Sequence, residues 1–270
     1  MSILLFLQKI LDKLYVFLSN LIFKFFIIFF KKKISYLSDE SILFFKKNDY
    51  LKLENFLDYV TVKKINLKLD KITKEDLTTD NNILKRRFNK SVLFDKIFKN
   101  SDIYYDFPKK IFKQYNYLNR PEEILLSLNK TITNKVINFS ELLNESFVSI
   151  EKFEAYQTLA NGDNNKVNSN WHKDGDLLTS FKVLIYLNDV DENNGALKII
   201  SHNGKEVSLS GKSGTAIFFR ASKLNHSGSV PKKFDRWCLN YKIYPKILHS
   251  SKIINKPFNY IRRYNLFFNF

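Results

Sequence analysis

The sequence predicts a β-rich α+β protein whose C-terminal half is an antiparallel barrel or jelly roll. After Phe147 the chain breaks into short segments rich in β-branched and aromatic residues: VSIEKFEAYQTL, FKVLIYLNDV, ALKIIS, EVSLS, TAIFFRA and RWCLNYKIYP. Asn, Gly and Asp punctuate them, and no helical stretch intervenes, which is the pattern of an up-and-down or jelly-roll sheet. Helical patterning is confined to the half before Phe147. A hydrophobic fraction of 44% with 16% aromatic residues can bury a core, and 270 residues accommodate one domain of up to roughly 200 residues plus an appendage.

Each part follows from its composition. Residues 1–33, MSILLFLQKILDKLYVFLSNLIFKFFIIFFKKK, form an amphipathic segment. On a helix, Gln8, Lys9, Asp12, Lys13, Ser19, Asn20 and Lys24 fall in an arc of roughly 160°, with Leu5, Val16 and Phe23 intruding on that polar side. Lys31, Lys32 and Lys33 follow as a basic cluster suited to anionic headgroups. An interfacial anchor on an anionic membrane is the reading adopted. A short or tilted span, interrupted by Lys24, and a helix packed on the domain by its apolar face are the alternatives. The segment lacks the basic n-region and small-residue cleavage site of a secretory signal.

Residues 34–100 are rich in Lys, Asp and Asn, with short apolar clusters such as SILFFKK and LENFLDYV that read as short helices joined by linker. Residues 101–250 are expected to hold the strands and their leading helices. Pro121, Glu122 and Glu123 mark a helix start there, since proline suits the first turn and acids favour that end of the dipole. Residues 251–270 form a C-terminal tail. A single cysteine, Cys238, excludes an intrachain disulfide and fits a reducing cytoplasm. The net charge of +17 is spread as Lys among Ile, Asn and Phe, a bias an AT-rich coding sequence would produce, and it is poor evidence for nucleic-acid binding.

The chemistry lies in four histidines, His172, His202, His226 and His249. His172 and Asp174 stand two apart, which on a strand places both on one face. His226, 52 residues beyond Asp174 (226 − 174), offers a third ligand from a distant strand. Two neutral imidazoles and one carboxylate leave three positions of an octahedron open, the arrangement suited to non-haem iron(II). His202, in SHNG, reads as a loop residue and His249 as a surface residue, neither with a metal role. Trp171 and Tyr186 read as core aromatics rather than cofactor platforms.

The text around the triad is WHKDG, then YLNDVDENNGALKIISH, then GTAIFFR with LNHSG, and finally RWCLNY. In this order these segments resemble the phytanoyl-CoA dioxygenase family of 2-oxoglutarate oxygenases over roughly residues 147–245. The resemblance implies a double-stranded β-helix, a cupin-like jelly roll, with Fe(II) on His172, Asp174 and His226. It implies O2 and 2-oxoglutarate as co-substrates, and an arginine about ten residues past the distal histidine that pairs with the far carboxylate of 2-oxoglutarate; here that is Arg236. A planar guanidinium suits that carboxylate. On RWCLNYKIY, Arg236, Cys238 and Asn240 share a face expected to look into the barrel. Gln157 and Lys182 stand on strands from which either could hydrogen-bond the co-substrate or face solvent, and solvent is favoured for Lys182.

The implied reaction is C–H hydroxylation of a small-molecule or lipid-like substrate. Asp174 stands where halogenating relatives carry a small residue, which disfavours halogenation. A nucleic-acid or protein demethylase with the same triad remains open, as does a membrane-docked binding module holding zinc or no metal.

Overall fold

The computed structural model describes residues 10, 13, 14, 17, 18, 20–25, 37–78, 115–118, 127–158, 160, 171–174 and 180–246, with side chains described throughout 37–70, 131–150 and 180–245 and at single positions elsewhere. The expected helix start at residues 121–123, the tail 251–270, His249 and most of residues 1–33 lie outside them.

Two helices and a short strand lead the fold. Helix α1, Asp39–Asn48, starts where the Ser38 side chain accepts from the Ser41 N–H, carries Asp39 and Glu40 in its first turn and Lys46 and Lys47 in its last, and closes on Asp49 at φ 61°. Acids at the start and bases at the end complement the helix dipole. Strand β1, Tyr50–Leu53, follows directly, and α2 spans Tyr59–Thr78. The cluster LENFLDYV is therefore no helix of its own but the end of β1, a turn and the start of α2. After β2, Tyr115–Leu118, comes α3, Ser127–Asn144. Strands β3 (Phe147–Thr158), β4 (Phe181–Tyr186), β5 (Leu197–Ile200), β6 (Glu206–Leu209), β7 (Ala216–Phe219), β8 (His226–Gly228) and β9 (Arg236–Lys246) complete the fold.

The strands form a six-stranded sheet ordered β1-β7-β4-β9-β3-β2 and a three-stranded sheet ordered β6-β5-β8, antiparallel throughout. Alternation along β9 and β4 sets two environments. Val183, Ile185, Leu239, Tyr241 and Ile243 pack against Phe45 of α1, Val62, Ile65 and Leu69 of α2, and Val136 and Leu143 of α3. Leu184, Tyr186, Ile217 and Cys238 point the other way, meeting Leu197 and Ile199 of the small sheet. The large sheet is thus covered by helices on one face and by the small sheet on the other, the jelly-roll solution to burying both faces of an antiparallel sheet. Residues 39–69, read from sequence as helical linker, contribute core to this same body. At Gly214 (φ 88°) a side chain would put its Cβ 2.1 Å from Leu57 O, so glycine there lets the helical layer close on the β6–β7 turn.

Candidate metal centre

His172 and His226 are held by each other's backbone. His172 N–H donates to His226 O at 3.0 Å and His226 N–H to His172 O at 2.9 Å, an antiparallel bridge that adds the His172 segment to the open side of β8. Asp174 N–H donates to Ala221 O at 2.9 Å. Two residues of one extended segment therefore share a face with the first residue of β8, and their ligand atoms lie within 4.8 Å of one another. Among the described residues no other group of three His, Cys, Asp or Glu side chains is so gathered.

The orientations suit a cation. Asp174 Oδ1 stands 3.7 Å from His172 Nε2 and 3.7 Å from His226 Nε2, while Oδ2 meets Lys182 Nζ at 2.5 Å. The His226 Nδ1–H donates to Leu224 O at 3.1 Å, which fixes the tautomer and leaves the Nε2 lone pair facing the carboxylate. The Phe219 ring packs edge-on against His226, ring centroids 5.2 Å apart. Burial holds the His226 pKa down to about 4, and the Lys182 ammonium adds to this, so the imidazole is neutral at physiological pH. For Asp174, burial works to raise the pKa and is outweighed by the charge and hydrogen bond of Lys182 and then by the two imidazoles; the net shift is downward and the acid is ionised.

Lys182 corrects the sequence reading. It shares the inner face of β4 with Leu184 and Tyr186, its side chain is 24% exposed, and it is committed to Asp174 rather than to water. Trp171 is another correction: it is 40% exposed and no core aromatic, whereas Tyr186 is fully buried. The Tyr186 hydroxyl donates to Leu209 O at 2.9 Å and accepts from Leu197 N–H at 3.0 Å, and burial raises its pKa beyond the ordinary phenol range.

Arg236 opens β9 and is buried, on the same inner face as Cys238. Its Nη2 donates to Thr158 Oγ1 at 3.1 Å, and its Nη1 to Gly195 O and, at 3.5 Å, to Ser229 O. Thr158 is its Cα partner across the β3–β9 pairing. Gln157 stands one step off, opposite Trp237. That register position alternates with the Thr158–Arg236 pair, and the Gln157 side chain lies outside those described. The Asn-Gly motif builds the cradle: buried Asn194 accepts on Oδ1 from the N–H groups of Lys233 (3.1 Å) and Phe234 (3.3 Å). At Gly195, φ 86°, an added Cβ would stand 2.9 Å from Ser229 O and 3.1 Å from Arg236 Nη1. Asn188 Oδ1 accepts from Trp237 N–H at 2.8 Å.

No family model matches the chain, and no curated protein does. Solved structures do. The non-heme alpha ketoglutarate dependent carbocyclase SnoK from nogalamycin biosynthesis aligns with a TM-score of 0.56 at 11% identity, over 78% of this chain and 85% of that one. EctD from S. alaskensis with bound Fe aligns with a TM-score of 0.56 at 14% identity, over 77% of each chain. HygX from Streptomyces hygroscopicus, with nickel, 2-oxoglutarate and hygromycin B bound, aligns with a TM-score of 0.52 at 9% identity, over 78% of this chain and 88% of that one. The chain shares the fold of these proteins.

Within this fold an ion cluster around buried Asp49 secures the loop between β7 and β8. Asp49, 4% exposed, receives Arg220 Nη1 at 2.7 Å and Lys223 Nζ at 3.2 Å on Oδ1, and meets His202 Nε2 at 3.0 Å on Oδ2. Arg220 also donates from Nη2 to Asn144 Oδ1 at 3.3 Å, and its backbone N–H donates to Asp49 O at 2.9 Å. The loop so held supplies Ala221 O to Asp174 and Leu224 O to His226. His202 is thus a structural residue, as expected of it, whereas Asp49 sits in a region where the sequence showed no chemistry. Thr158 was missed as well: its pairing with Arg236 follows from strand register, which the sequence does not spell out.

Proposed function

We propose that this chain is an Fe(II)- and 2-oxoglutarate-dependent oxygenase, of the phytanoyl-CoA dioxygenase-like kind, that hydroxylates a C–H bond of a small organic substrate. The observation that carries the reading is the convergence of His172, Asp174 and His226, drawn from separate segments, with one carboxylate oxygen aimed at both imidazoles. Adjacent ligands of an octahedral ion with bonds of about 2.1 Å stand about 3 Å apart, so the 3.7 Å spacings need to close by under an ångström. The donor set, two imidazoles and a carboxylate on one side, fits iron(II) with positions left for a chelating co-substrate and oxygen.

When bound, the iron with 2-oxoglutarate and O2 supplies oxidising power for a C–H bond, as 2-oxoglutarate is split to succinate and carbon dioxide. The protein's part is placement. Neutral His226 and ionised Asp174 present lone pairs without first losing protons. Lys182 holds Asp174 Oδ2, so the carboxylate offers Oδ1 alone. Arg236 is oriented by Gly195 O and Thr158 Oγ1 on the inner face, and its planar fork matches the far carboxylate of 2-oxoglutarate.

The test is succinate formation from 2-oxoglutarate by the full chain with Fe(II) and ascorbate, beside a mass-spectrometric search for products in cells expressing wild type or His172→Ala. Succinate from wild type alone, with a product gaining one oxygen, is expected. A product losing two hydrogens without gaining oxygen would replace hydroxylation by ring closure. Tight zinc binding without turnover would overturn the enzyme reading in favour of a binding module.

A further inference from the structure

The N-terminal helix is attached to the domain by a residue on its polar side. Phe23 is 3% exposed and meets Phe147, the first residue of β3, edge to face at 5.2 Å. Ile10, Leu14, Phe17, Leu18, Leu21 and Phe25 are between 39% and 63% exposed. At 100° per residue these six fall within an arc of about 100°, and Phe23 lies about 170° from its centre. The helix therefore grips the domain with the wrong side for a core helix and turns its apolar stripe outward. Exposed Lys13 and Lys24 lie along one flank of the stripe, placed for their stems to follow apolar surface while the ammonium groups reach outward, and in sequence Lys31, Lys32 and Lys33 come next.

We propose that this stripe docks on the surface of a membrane containing anionic phospholipid, the helix lying in the interfacial plane. An exposed, contiguous apolar stripe of this kind marks an interaction surface. A cationic flank on a chain of net charge +17 fits anionic headgroups and opposes pairing of two copies along the same face. The docking point is also remote from Arg236. Phe147 pairs with Lys246 at one end of the β3–β9 ladder, and Thr158 pairs with Arg236 at the other, a separation of roughly 35 Å at 3.3 Å per residue. The membrane tethers one end of the ladder, and Arg236 stands at the other.

The experiment compares full-length wild type with the double variant Phe17→Glu/Leu21→Glu by co-sedimentation with vesicles of phosphatidylcholine alone or mixed with phosphatidylglycerol. Both side chains are exposed, so the melting temperature should not move. Wild type should sediment with the mixed vesicles and far less with phosphatidylcholine alone, and the double variant should partition roughly a hundredfold more weakly, as loss of two large apolar contacts dictates. Equal sedimentation of variant and wild type overturns the proposal. So does wild type that ignores both vesicles, and a wild-type dimer in solution that the variant dissolves would then assign the stripe to a second copy of the chain. Wild type that binds neutral and anionic vesicles alike overturns the requirement for anionic lipid.

Discussion

At His226 the fold holds an imidazole neutral inside a polar centre. Its pKa falls from 6.5 to about 4 because burial disfavours the imidazolium. Between those values the unfolded chain binds a proton the folded chain refuses, so this group's contribution is fully present above pH 6.5 and is lost as pH falls through 4. The metal-free protein should lose up to about 3 kcal/mol over that window, and urea titrations at a series of pH values, compared with His226→Gln, check it. Lys182 acts on the same equilibrium, since its charge lowers the pKa values of both Asp174 and His226. In Lys182→Met both ligands should take up protons more readily, and the pH midpoint of metal release should move upward. A Mn(II) or Fe(II) titration across pH reads it, and a midpoint that stays put or falls would show that Lys182 does not tune the ligands.

Among the elements, the β7–β8 loop matters most, because it supplies Ala221 O and Leu224 O to two of the ligands and is itself held by Asp49 at the end of α1. Removing the Asp49 charge deprives Arg220, whose side chain is 15% exposed, of its buried counter-charge. Asp49→Asn leaves Arg220 and Lys223 facing a neutral amide and should cost about 3 kcal/mol of stability. It should also weaken metal binding in the fraction that stays folded, a loss a remote structural defect would not produce. Calorimetric titration of Mn(II) below the variant's melting range separates the two. The strands of the C-terminal half were legible because alternation and turn residues are local signals: the segments FKVLIYLNDV and TAIFFRA contain β4 and β7, which end four and two residues before the segments do. Strand β8 was hidden, for His226–Gly228 is three residues long and has no pattern of its own. Strand β1 was hidden too, as its pairing with β7 spans most of the chain.

For the whole molecule the central expectation is linkage between metal and fold. The triad draws on the 171–174 segment and β8, so an ion bound there stabilises the folded state that gathers them. Free metal at about a hundred times its Kd should add about 2.7 kcal/mol, a rise of roughly 5–10 °C in melting temperature for a chain of this size. His172→Ala should abolish the rise, which differential scanning fluorimetry with Mn(II) tests without any turnover.

What the sequence determined by itself is the set of groups and the kind of sheet that carries them. Alternation fixes which side chains of a strand travel together, so His172 with Asp174, and Arg236 with Cys238, were assigned to common faces before any pairing was known. What the tertiary structure decided is which face meets which. Lys182 was read as a solvent residue because a lone lysine in FKVLIY gives no sign that both faces of β4 are covered; the small sheet covers the inner one and delivers Asp174 to it. Phe23, an intruder on the polar side of an amphipathic helix, becomes its attachment point only when Phe147 is brought beneath it. Local periodicity is written in neighbouring residues, whereas register and layer contacts join residues far apart in the chain, and their energies arise only once the whole core closes.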